Sequence, residues 1–123
     1  MLAARPMIAR RAVICILFCV GAAIGGGDGD RMQRLAGERY GTAGTESVRA
    51  WRRMIADAQS LDDLGKLRWT NTFFNRRIFF DDDIVIWKRA DYWATPLETL
   101  GRGAGDCEDF SIAKYMTLRL LGI

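Results

Sequence analysis

Histidine is absent from the 123-residue sequence. Within these residues there is therefore no imidazole base for a thiol or hydroxyl nucleophile, and zinc would have no nitrogen ligand. Cysteine is scarce, and two of the three, Cys15 and Cys19, fall in an apolar N-terminal stretch. Cys107 is then the lone thiol of the remaining chain and has no partner there for a disulfide. Apolar runs are short: residues 12–24 form one, well below the roughly twenty residues that cross a bilayer comfortably. No internal repeat is present, and GRGAGD lacks the GK[ST] ending of a phosphate-binding loop.

Charge of one sign is also missing from most of the chain. The net charge is +3, from 18 Lys and Arg against 15 Asp and Glu. Arg5, Arg10 and Arg11 account for the excess, so residues 25–123 are balanced. No basic stripe with interleaved aromatics appears, which argues against a nucleic-acid partner. MLAARPMIARRAVICILFCVGAAI places two arginines before an apolar run and small residues, the pattern of an export signal over residues 1–24. The alternatives are a short N-terminal anchor and a buried N-terminal element. Phe18 stands before Cys19 where a lipoprotein signal carries a small residue, so lipidation is not expected. Membrane association is expected only through this signal or anchor.

Residues 25–44, beginning GGGDGD, read as a flexible lead-in. Val48, Trp51, Ile55 and Ala58 recur at helical spacing and predict a helix over roughly 45–60, capped by Thr45 and leaving at Asp62, Asp63 and Gly65. Leu67, Phe73, Phe74, Ile78 and Phe79 suggest a second short helix, ended by Asp81, Asp82 and Asp83. IVIW over 84–87 fits a strand or an apolar anchor. KRADYWATPLETL reads as loop, with Pro96 holding its predecessor extended and two rings in a position suited to binding. CEDFSIAKYMTLRLL is a strong helix, apolar on so many sides that it is expected to be mostly buried.

Cys107 follows a glycine-rich turn and opens that helix, where free amides and the helix dipole favour a nucleophilic thiol. It is read either as such a nucleophile or as a cysteine packed at a helix start. Asp106, Glu108 and Asp109 have three readings: cap and first-turn acids, ligands for a hard cation such as calcium, or plain surface acids.

DYWATPLETLGRGAGDCEDFSIAKYMTLRLLG closely resembles the nucleophile region of the bacterial transglutaminase-like cysteine peptidases, whose best-known members are periplasmic calcium-dependent proteases of the LapG type. The likeness extends more weakly through WKRADYW and FFNRRIFFDDD to about residue 45. It implies an α+β, papain- or transglutaminase-like fold with a mainly helical first lobe and an antiparallel sheet in the second. Residues 45–123 then correspond to the part that ends after the nucleophile helix. The resemblance implies Cys107 as nucleophile of a Cys-His-Asp triad, Asp106 and Glu108 as calcium ligands with Asp109 assisting, and Trp93 lining the substrate cleft. It also implies a periplasmic location, a large surface adhesin as substrate with control of biofilm attachment, and an inner-membrane regulatory receptor as a partner to consider. The triad histidine and aspartate of the family follow the nucleophile helix, so these 123 residues are expected to be a truncated, inactive part of such an endopeptidase. The alternatives are a non-catalytic calcium- or protein-binding half-domain and one half of a split enzyme.

Overall fold

The computed structural model describes residues 26–123, so the expected signal over 1–24 lies outside the described residues. Helix α1 spans Gly26–Ala58 and is broken at Gly41, whose φ of 68° and ψ of −160° suit a residue without Cβ. The expected flexible lead-in over 25–44 is therefore corrected: it is helical from Gly26. Its polar composition hid a sparse inward face of Met32 and the fully buried Ala36. Thr45 lies inside α1 and its hydroxyl donates to the Gly41 carbonyl, so it is not the expected cap.

The core is built on the second half of α1. Val48, Trp51, Ile55 and Ala58 are buried, as their spacing predicts, and with Met54 they pack against Phe74 and Ile78, Leu100, Ala113 and Leu121. Side chains such as Ile55, Phe74 and Leu100 each contribute about 1.5–3 kcal/mol by leaving water. One polar link crosses this core: Trp51 Nε1–H donates to Thr117 Oγ1 at 2.9 Å, and the Thr117 hydroxyl donates to the Ala113 carbonyl at 2.7 Å.

Helix α2 covers Asp63–Arg77. Asp62 is its N-cap, with Oδ1 accepting from the Gly65 N–H at 2.8 Å, so Asp62 starts α2 rather than simply ending α1. Ile78 leaves α2 extended and leads into β1, Phe79–Phe80. A single turn, α3, follows at Asp83–Ile86, so IVIW is neither strand nor straight anchor. Part of the expected loop is helical too. Helix α4, Pro96–Arg102, opens with proline in its first turn behind a Thr95–Glu98 capping box, and α1 packs against it.

Gly103 caps α4 in the left-handed region (φ 67°) and turns the chain into β2, Ala104–Gly105. β1 and β2 pair in parallel with Phe79 opposite Ala104 and Phe80 opposite Gly105. This two-stranded ladder is the only sheet among the described residues. Helix α5, Cys107–Leu120, completes the fold. It buries less than its composition suggests. Asp109, Ala113 and Thr117 face inward, while Tyr115, Met116 and Leu120 stay exposed because no described element covers that side. Among the described residues, no helix is long and apolar enough to cross a membrane.

Candidate active site and carboxylate cluster

The β2 strand delivers the chain directly to the N-terminus of α5. Gly105 is buried there, and a Cβ at this position would sit 2.8 Å from Asp109 Cβ, so glycine permits the strand to cross the first helical turn. Asp106 is the N-cap: its Oδ1 accepts from the amides of Glu108 at 3.2 Å and Asp109 at 3.3 Å. Asp109 returns the bond, with Oδ2 accepting from the Asp106 N–H at 3.3 Å. The capping reading of these acids thus holds for Asp106 and Asp109, without excluding a further role.

Cys107 is the first residue of α5 and is exposed. It sits between two grooves. One, of about 380 Å³, is lined by Trp93, Cys107, Glu108, Ser111 and Ile112. The other, of about 490 Å³, includes Ile78, Phe79, Phe80, Cys107, Phe110 and Lys114. The Lys114 ammonium is fixed at that end by Asn71 Oδ1 at 2.8 Å and Asn75 Oδ1 at 2.7 Å. A separate groove between α1 and α2, lined by residues including Met54, Trp69, Phe73 and Arg76, does not include the thiol.

Beneath the thiol lies a second feature. Asp83, Asp106 and Asp109 each bring an oxygen within 4.8 Å of the other two. Asp109 is fully buried, and its Oδ1 accepts from the Ala94 N–H at 2.8 Å. Burial pushes its carboxyl above the ordinary aspartate range; the Ala94 and Asp106 amides oppose this, and the charges of Asp106 and Asp83 add to it. Asp83 is 5% exposed; its Oδ2 accepts from the Tyr92 N–H at 2.6 Å, while its buried Oδ1 has no hydrogen-bond partner. An orphaned carboxylate oxygen beside two further carboxylates is a donor set that suits a hard cation such as calcium.

Of the residues singled out in the sequence, Cys107, Asp106 and Asp109 therefore meet at one helix end. Exposed Trp93 and Glu108 share the groove beside the thiol. Glu108 stands outside the carboxylate cluster, whose third member, Asp83, sequence reasoning assigned to a helix terminator. The run of three aspartates marked the region, but no local pattern selects the one that the β1–β2 pairing turns inward.

The solved structure of LapG from Legionella pneumophila overlays with a TM-score of 0.63 and 33% sequence identity, covering 77% of this chain and 51% of that chain. This chain is related to LapG. The relationship is to the LapG-type, transglutaminase-like cysteine peptidases, and this chain spans about half the length of the LapG chain. No protein-family model matches it, and no match was found among curated proteins. The mostly helical architecture agrees with part of a papain-like fold.

Proposed function

We propose that this chain carries the nucleophile-bearing part of a periplasmic cysteine endopeptidase that cuts an extended segment of a large surface adhesin. The supporting observation is the exposed Cys107 at the first turn of α5, with a groove on either side of it. A polypeptide laid across both grooves would present a backbone carbonyl to the thiol, with flanking residues against Trp93 and Glu108 on one side and Phe79 and Phe110 on the other.

In the reaction, the sulfur forms a bond to the carbonyl carbon and the negative charge develops on the carbonyl oxygen. The amides of Glu108 and Asp109 are occupied by Asp106, which leaves the Cys107 N–H to stabilise that oxygen. Cleavage of the C–N bond releases an amine that takes the proton originally held by the thiol, and water then hydrolyses the thioester. A base must carry the proton between these steps. With no histidine in the sequence, the base and its orienting acid come from outside these residues, and the chain alone does not turn over. Calcium, when bound, would supply positive charge that holds the cluster's acids together beneath the nucleophile.

The test is complementation. The chain is mixed with the half of LapG that it does not cover, and cleavage of an adhesin segment is followed by mass spectrometry. Cleavage that disappears with Cys107→Ala is the expected result. A stable complex that leaves the substrate intact, or cuts it equally well without the thiol, would sink the proposal.

A further inference from the structure

We infer that Lys114 selects an acidic side chain in the bound peptide, at the third residue from the bond that Cys107 attacks. The inference rests on the reading of Cys107 as a nucleophile with an extended peptide laid across it. Cys107 and Lys114 both belong to α5, and their spacing of about two turns puts them on one face. At a rise of about 1.5 Å per residue they lie roughly 10 Å apart along the axis. An extended peptide advances about 3.3 Å per residue, so its third residue reaches the ammonium. The groove that holds the thiol with Phe79, Phe80 and Phe110 includes Lys114. A further groove, of about 390 Å³, shares Lys114 and is lined by Leu67, Arg68, Thr70, Asn71 and Leu118. Lys114 stands where the two meet.

Its ammonium is fixed in place but not neutralised. It donates to the side-chain oxygens of Asn71 and Asn75 and lies 5.3 Å from the centre of the Phe110 ring. None of the ion pairs among the described residues involves it, and neither groove is lined by an acid. An ammonium has three N–H donors, so the two asparagines leave one for a ligand. With their oxygens turned to the lysine, the asparagine NH2 groups remain as further donors. Thr70 is an independent sign. It is 1% exposed, lines the groove beside Lys114, and its hydroxyl has no hydrogen-bond partner. A buried hydroxyl left unpaired is unfavourable. Partial burial also pushes the ammonium below the ordinary lysine range, and a seated carboxylate would oppose that shift. Unused donors around an unpaired cation suit a carboxylate.

The experiment measures how fast short alanine-based peptides alkylate Cys107 in the full chain, read at the Cys107-containing fragment by mass spectrometry. One series carries a chloroacetyl group at its N-terminus and the other a chloromethyl ketone at its C-terminus, so both chain directions are sampled. In each, sulfur displaces chloride, a C–S bond replaces the C–Cl bond, and buffer takes the thiol proton. A single glutamate is moved through the first four positions from the electrophile, with free cysteine as the reference thiol. In one series, glutamate at the third position speeds labelling about threefold or more over alanine, within reach of a single half-exposed ion pair. Lysine there slows it, and added salt weakens both effects. In Lys114→Met the advantage of glutamate over alanine disappears. Labelling that never saturates and shows no gain over free cysteine rules out the peptide groove and this inference with it. Saturating labelling without a preference for glutamate overturns this inference alone, as does a preference at the first position or one that survives in Lys114→Met. Should Lys114→Met fail to fold by circular dichroism, the unmodified chain decides: a third-position preference that salt does not weaken overturns the inference.

Discussion

Cys107 is conspicuous in the sequence because a thiol between acids at a glycine-rich turn is an uncommon choice. The residues that support it divide into two kinds. Asp106 and Asp109 were legible, since GDCED reads at once as cap, first turn and candidate ligands. Asp83 was not, because its partnership depends on a strand pairing that leaves no periodic trace in the sequence. Asp109 makes the sharpest residue-scale prediction. Burial, before any charge effect, favours its protonated form in the folded chain. That contribution to stability is fully present below its unfolded value near 3.8 and is lost as pH rises through the raised folded value. Carbon-detected NMR titration of the side-chain carboxyl in calcium-free buffer should therefore give a midpoint above 3.8. An ordinary or lower midpoint would contradict the burial of Asp109 described above.

Among the elements, those with several turns and a repeating apolar face were readable, and the others were not. The second half of α1 and all of α5 announced themselves by spacing. The first half of α1 gives no helical signal in the sequence because Ala36 is its only fully buried hydrophobic side chain among the described residues, which is too little for a period. Helices α3 and α4 are too short to show a period, and α4 declares itself only through its ends. Thr95 accepts from the Glu98 N–H at 3.3 Å, and Glu98 Oε2 accepts from the Thr95 N–H at 2.8 Å. Removing the hydroxyl with Thr95→Ala should lower stability by about 1 kcal/mol, typical of a lost N-cap. Urea denaturation at neutral pH measures it. A neutral effect would mean that Pro96 and the packing of α4 on α1 set the helix start without the cap.

At the scale of the molecule, one side is tightly closed and another is not. Phe79 and Phe80 are 80% and 63% exposed on β1, and Ile84 and Val85 are also exposed just beyond. Apolar surface of this kind is uncommon on a monomer unless something binds there. The folded chain should therefore enhance the fluorescence of an apolar dye such as anilinonaphthalene sulfonate, and the double substitution Phe79→Ser with Phe80→Ser should diminish it. Unchanged fluorescence in the double variant would place the dye elsewhere. The short parallel pairing of this same segment also orders events in time. Phe79 meets Ala104 only after the chain has travelled through α3 and α4, and closing that excursion costs entropy before any of its contacts form. The α1–α2 hairpin carries no such delay. During folding, the long helices can gather first while Cys107 still belongs to an unanchored segment, and the grooves on either side of it form late, once β1 and β2 have paired.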